Sequence, residues 1–421
     1  MSHYNIRHWL ATGTSIGISA LGLMFAPLAQ AGTNSLDKSF GSNGKVLTPA
    51  AIFSGNPDVA IQADGKIVVL IGEQLTRYHV DGSLDSTLAT SGSPYPYGSQ
   101  LAIQPDGKIL TTGSALSRYN SDGSLDATFG VGGKASDSSI SDLALQSDGK
   151  IIGIKNIYAG SWNGQPYCTN RLERYNTNGT LDSSFGINGS VNYGETSSCS
   201  GKHLAVQSDN KILVGSGGNG VTVTRFNADG NLDSSFGSNG STYVSYTPPI
   251  TYDNYQCLFY NGGLGLANVL AQPDGKIVVV GNSGQCDQKN ISHNAFSRAR
   301  FNADGSLDSS FGSGGKAVTP NTNATGRALY DAALQADGKI VAVGYIVDPN
   351  VPHSYGYSSD FAITRYKTNG DEDGSLTVTT KIGRGSLAYG VAIQADGKVV
   401  SAGFATADDS SYNSALVRYL P

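Results

Sequence analysis

The stretch FNADGSLDSSFGSGGK at 301–316 carries the oxygen donors of a cation site. Asn302, Asp304 and Asp308 follow the pattern Asn-x-Asp-Gly-x-x-Asp, part of a calcium loop. A complete loop also needs an acidic first position and a bidentate Glu at the twelfth. Those positions are Arg300 and Phe311, so too few hard oxygens converge and no metal is expected. Other residues able to move protons or bind metal stand singly: Glu73, Glu173, Glu195, His203, His293 and His353. No His-Glu-x-x-His pattern occurs, and GTSIG at 13–17, with nucleophile-elbow spacing, falls in an apolar leader. Without a converging constellation, no catalytic residue and no cofactor is assigned.

Whether the 301–316 stretch is a site or a strut is decided by how often it recurs. Gln-x-Asp-Gly-Lys-Ile or a close variant begins at 62, 104, 146, 207, 272, 335 and 394, spaced 42, 42, 61, 65, 63 and 59 residues apart. A second pattern runs from an Arg-aromatic pair through an Asx-Gly turn to Leu-Asp-x-Ser-Phe-Gly. It starts at Arg77, Arg118, Arg174, Arg225 and Arg300, and in decayed form at Arg365. A seventh copy is split between LDKSFGSNGK from Leu36 and RYLP from Arg418. An active site occurs once, and a motif present in every unit is scaffold. Asn302, Asp304 and Gly305 are therefore expected to form a turn, with Ser306 and Leu307 restarting a strand. Phe311 is expected to pack between units, and Arg300 to pair with Asp308. Gln62 and its equivalents are read as satisfied polar positions of an innermost strand.

Each unit reads as four short strands, with Asp-Gly and Asx-Gly turns joining the first to the second and the third to the fourth. Seven such units without helical periodicity imply an all-β, seven-bladed β-propeller of four antiparallel strands per blade. The split copy predicts that Leu36–Val46 completes the blade built from 389–420, closing the ring without a free edge. These motifs resemble the delta-60 repeat, a family of bacterial β-propeller repeats, over essentially all of 35–420. The resemblance implies a secreted propeller and brings no catalytic residues with it.

Composition sets further bounds. Gly is 55 of 421 residues, close to twice average usage, and charged residues are 14%. A net charge of −5 without a basic run argues against a nucleic-acid partner. Arg7, the apolar run from Ile16 to Leu28 and AQA at 29–31 read as a signal peptide cut near Ala31. The mature chain, 32–421, is expected to be a single propeller domain, periplasmic or extracellular, monomeric and without a membrane span.

Both turns of each blade lie on one end, so the longer connections decorate the other. The inserts at about 155–171, 191–202, 241–264, 282–297, 345–360 and 404–413 carry aromatics suited to sugar stacking or protein contact. The favoured function is a non-enzymatic propeller binding a glycan or an extracellular protein, with Tyr252, Tyr255, Tyr260, Tyr355 and Tyr357 as contact residues. The alternative is a propeller-type hydrolase or lyase with polar residues at the channel mouth, His203 foremost. Four cysteines in an exported chain suggest disulfides, placed by their positions in the units as Cys168–Cys199 and Cys257–Cys286.

Overall fold

The computed structural model describes residues 35–49, 55–72, 74–89, 100–113, 115–135, 140–162, 165–196, 202–218, 220–246, 265–286, 292–321, 326–347, 359–374, 377–408 and 411–421. The expected leader lies outside them. Every regular element among these residues is a strand. Among the described residues, no helix is long and apolar enough to cross a membrane.

Seven antiparallel sheets follow one another along the chain. Blade 5 shows the pattern in full: Gly265–Ala271, Ile277–Cys286, Ser292–Phe301 and Lys316–Thr319 pair in sequence order. The first strands of successive blades touch one another in cyclic order, and that of blade 7, Ser386–Ile393, touches that of blade 1, Asp58–Ile61. They surround the axis. Each blade is covered on both faces, so its inner strands are continuous apolar runs, such as Ile67–Ile71 and Ile340–Val347. The core falls into seven clusters, each shared by two neighbouring blades, including the pair formed by blades 7 and 1.

Closure is made by strand pairing. Lys45–Pro49 is the outermost strand of blade 7 and runs antiparallel to Ser411–Tyr419, with Lys45 opposite Val417 and Pro49 opposite Asn413. The expected span of Leu36–Val46 lies too early. Leu36 makes one bridge to Tyr419, and glycines at positive φ (Gly41 and Gly44) bend the chain before the strand begins.

The same correction applies in other blades. Leu307 makes a single bridge to Phe301, and the fourth strand of blade 5 begins only at Lys316. In between, the Asp308 carboxylate accepts from the Ser310 N–H at 3.1 Å, and Gly312, Gly314 and Gly315 at positive φ prevent an extended path. Blades 1 and 2 show three strands among the described residues. Several inserts expected as loops are instead extensions of the second and third strands. Ile151–Trp162 pairs with Gln165–Tyr175, and Val399–Asp408 with Ser411–Tyr419. Cys168 thus lies within a strand rather than in an outer loop.

The repeated motif is a strut, as its recurrence requires. Arg300 Nε donates to Asp308 Oδ2 at 2.7 Å, and Lys276 of the Asp-Gly-Lys turn reaches the same oxygen at 2.9 Å. All seven blades have this Arg–Asp pair, down to Arg365–Asp373 at 2.8 Å and, across the split copy, Arg418–Asp37 at 2.9 Å. The guanidinium also reaches the next blade: Arg225 Nη1 donates to Ala303 O at 2.5 Å, Arg300 to Thr368 O, and Arg418 to Val80 O. Phe311 is buried beneath Arg300, whose guanidinium carbon stands 4.8 Å from the ring centroid. Gly305, at φ +89°, packs so closely on blade 4 that a Cβ there would meet Gly237 N at 2.7 Å. Asp304 accepts from both the N–H and the hydroxyl of Ser306, fixing the turn. The repeated glutamines meet expectation only in part. Gln146 and Gln207 donate to carbonyls of the following blade, but the Oε1 atoms of Gln104, Gln207, Gln272 and Gln335 are buried without a partner among the described residues.

Candidate functional site

The residue four places before each repeated glutamine stands on the innermost strand, or in blade 2 immediately before it, and here the blades differ. In order the seven are Asp58, Gln100, Asp142, His203, Asn268, Asp331 and Gly390. A bulge immediately precedes this position in blades 3, 5, 6 and 7, at Ile140/Asp142, Leu266/Asn268, Leu329/Asp331 and Ala388/Gly390.

Most of these groups are engaged in joining blades. Asp58 accepts from its own neighbour Val59 N–H at 2.7 Å and from Leu101 N–H of blade 2 at 2.8 Å. Asp142 does the same with Leu143 and with Leu204 of blade 4. Asp331 accepts from Ala332 at 2.7 Å and from Val391 of blade 7 at 2.9 Å. Asn268 continues the belt by donating to Asp331 Oδ1 at 2.7 Å and to Ala332 O at 3.0 Å. Gly390 leaves room for Asp58, whose Oδ1 would lie 3.3 Å from an added Cβ. Each carboxylate has both oxygens occupied, as suits an inter-blade clamp.

Two members titrate abnormally. Burial pushes the His203 imidazole down to about 4, against the charge of Asp142 and a hydrogen bond with the backbone of Leu266. It is neutral at physiological pH and half-buried. Burial, followed by the nearby charge of Asp58, pushes the Asp331 carboxyl up to about 7, against its bonds from Val391 and Asn268. An Asp raised above its unfolded value holds a proton in the folded state that the unfolded chain releases. The stabilisation from that proton is fully present below about pH 4 and is lost as pH rises through about 7. Melting temperature should therefore fall as pH is raised from 5 to 8, and Asp331→Asn should flatten that limb. An unchanged slope in the variant, measured by thermal denaturation across this range, would remove Asp331 from the account.

The other candidates are dispersed. Glu173 is buried on the third strand of blade 3 and accepts from Tyr175 Oη at 2.6 Å. Glu73 and His353 lie outside the described residues, as do the side chains of Glu195 and His293. Among the described residues, no three His, Cys, Asp or Glu side chains converge as a metal would need. Tyr252, Tyr255, Tyr260, Tyr355 and Tyr357 also lie outside the described residues. Cys168 is buried and disulfide-bonded, and the side chains of the other three cysteines are not among those described.

Sequence reasoning missed an aromatic row beside the axis. Tyr330 stacks on Tyr389 with centroids 4.7 Å apart, Tyr345 lies 5.8 Å beyond Tyr330, and Phe404 meets Tyr389 edge-on at 6.2 Å. Tyr330 and Tyr389 are the bulged residues just before Asp331 and Gly390, and all three tyrosines are half-buried. The available signal was a Tyr three places before Ala333-Leu334 in blade 6 and before Ala392-Ile393 in blade 7, just ahead of the axis position.

Six stretches, 104–129, 146–185, 207–236, 272–311, 335–375 and 394–421, match the family described as a domain of unknown function (DUF5122) beta-propeller. Among solved structures, virginiamycin B lyase from Staphylococcus aureus is similar at 14% identity and a TM-score of 0.49, over 89% of this chain and 98% of that one. YCF48 from Cyanidioschyzon merolae gives 11% and 0.46, over 90% and 99%. A gluconolactonase from Xanthomonas campestris gives 14% and 0.38, over 74% and 90%. These likenesses carry no activity or substrate to this chain. No curated relative matches the sequence. The delta-60 resemblance remains a resemblance. With seven sheets around one axis and six matched stretches, the chain is a β-propeller repeat protein whose repeats are similar to those of the DUF5122 beta-propeller family.

Proposed function

We propose that this protein is a non-enzymatic binding propeller, exported after loss of residues 1–31 and monomeric, that recognises a glycan or an extracellular protein through its loop-bearing end. The observation that carries this is a division of roles. The carboxylates at the axis are engaged in joining blades, whereas Tyr330, Tyr345 and Tyr389 are half-buried rings on the end that bears the inserts. Such rings, with Tyr252, Tyr255, Tyr260, Tyr355 and Tyr357, offer apolar faces and phenol hydroxyls together, the chemistry of sugar and protein contacts. A glycan array would supply a ligand for an alanine scan. Replacing an anchoring tyrosine should weaken binding by about 1–2 kcal/mol or more with little change in melting. Loop tyrosines that alter stability and never affinity would defeat the proposal.

A second function, hydrolase or lyase, is favoured by one observation: His203 is neutral and half-buried beside Asp142 at the axis. Turnover of a lactone or uronide substrate, lost in His203→Ala, would select it.

We also assign Cys168–Cys199 and Cys257–Cys286 as the disulfides, each closing a loop of about 30 residues and contributing roughly 3–4 kcal/mol in the chain-entropy model. Non-reducing peptide mapping that joined Cys168 to Cys286 would refute this pairing.

A further inference from the structure

The residue two places before each repeat arginine faces the next blade. It is Leu75, Leu116, Leu172, Val223, Ile363 and Leu416 in six blades and Arg298 in blade 5. Arg298 is buried in the seam between blades 5 and 6, with its guanidinium carbon 3.7 Å from the Tyr366 ring centroid. Its Nε donates to Gly370 O at 2.6 Å and its Nη1 to Thr319 Oγ1 at 3.0 Å. A second buried arginine, Arg327, meets the same threonine, donating from Nη2 to Thr319 O at 2.5 Å and from Nε to Asn294 O at 2.9 Å. It lies over Phe296.

This seam departs from its neighbours in hydrogen bonding as well as in charge. At two other seams the equivalent tyrosine and threonine are bonded to each other: Tyr78 with Thr48 at 2.8 Å and Tyr419 with Thr380 at 2.9 Å. Here Thr319 is taken by Arg298, and the fully buried Tyr366 hydroxyl has no partner among the described residues. All seven repeat arginines have a carboxylate, but among the described residues neither Arg298 nor Arg327 makes an ion pair. Asp371 and Glu372 act on Arg298 only through space. Backbone carbonyls and ring faces accept hydrogen bonds without neutralising two like charges taken out of water. The other Nη groups of both guanidiniums have no acceptor among the described residues.

We propose that the seam between blades 5 and 6 is an oxyanion-binding site, in which Arg298, Arg327 and the Tyr366 hydroxyl hold a sulfate, phosphate or carboxylate group. Guanidinium N–H groups match such oxygens in geometry and charge. The group is either a free inorganic ion or the acid group of a sugar. Only the second source rests on the proposed glycan-binding function.

The test is titration of the full mature protein, by calorimetry and thermal shift, with inorganic sulfate and phosphate at constant ionic strength against chloride. Parallel arms use glucuronate and a sulfated monosaccharide, with glucose as control. Saturable binding of an oxyanion is expected. Arg298→Leu restores the residue type of the other blades, so it should fold, and it should weaken binding about tenfold or more. Tyr366→Phe should keep its melting temperature and bind more weakly. Inorganic ions alone binding supports the site and leaves the glycan function to its own array. Tighter binding of the acid sugars supports both. No saturable oxyanion binding, or equal binding by Arg298→Leu, overturns the site.

Discussion

Deletion of residues 32–49 is expected to leave little soluble, cooperatively folding protein. The outermost strand of blade 7 would be lost along the whole register from Lys45–Val417 to Pro49–Asn413. Ser411–Tyr419 would become an exposed edge with unpaired N–H and C=O groups, a template for association. Arg418, buried beside Asp37, would lose the carboxylate it holds at 2.9 Å, a loss of about 3–5 kcal/mol in itself. Phe40, at the core of the seam between blades 7 and 1, would go as well. Asp37→Ala isolates the ion pair from the strand and should lower the melting temperature without exposing the edge. Size-exclusion chromatography and thermal melting report both effects. A truncated protein that stayed monomeric with unchanged melting would show that closure does not depend on this strand.

Asp308→Ala should destabilise the ring by about 3–5 kcal/mol, since it strands two cations at once. Arg300 and Lys276 both rely on Asp308 Oδ2. Burial works against the ionised Asp308 carboxylate, but hydrogen bonds from Ser310, Lys276 and Arg300 outweigh it and hold the group well below the usual carboxylate range. A depressed value stabilises above about pH 4, and that contribution is lost as pH falls below it. The wild type should therefore lose stability in acid, and the variant should lose less over the same interval. Asp304→Ala, at the exposed turn of the same motif, should cost much less, because its carboxylate is solvated and holds only Ser306. Urea denaturation of the three proteins at pH 7 and pH 3.5 measures this. Equal midpoints for Asp308→Ala and Asp304→Ala would mean that the repeated pair is not the strut described above.

The fold was legible because its determinants repeat. Seven copies of the Gln-x-Asp-Gly-Lys turn, one with Asn210 in place of Gly, and of the Arg–Asp pair expose the blade count, the strand order and the closure. Strand boundaries were less legible. Leu307 looks like the start of a strand because it is apolar after a turn, yet its Asp308-capped, glycine-rich continuation cannot extend until Lys316. The inserts read as loops from their Gly, Ser and Asn content, whereas Ile151–Trp162 and Gln165–Tyr175 are long strands held by backbone pairing to which composition is blind. The axis position was hardest. Asp58, Gln100, Asp142, His203, Asn268, Asp331 and Gly390 form no common pattern, and only alignment on the glutamine four places later brings them into one column. His203 alone stood out, as a histidine before an apolar run. Arg298 hid for the opposite reason: two residues ahead of the Arg300-Phe301 pair, it looks like part of the repeat motif until its six aliphatic equivalents show it to be an intruder.

The bond between Arg418 and Asp37 joins residues 381 apart. Blades 1 to 6 each draw their strands from one continuous stretch and can assemble as the chain emerges. Blade 7 cannot. Its outer strand is made first and its partner last, so 45–49 must wait, unpaired, through the synthesis of nearly the whole protein. Joining the two ends then requires closing one very long loop, an entropic cost that grows only slowly with length but falls entirely on the final step. Until that pairing forms, both 45–49 and 411–419 carry an open strand edge, the state in which the ring is most exposed to pairing with neighbouring chains.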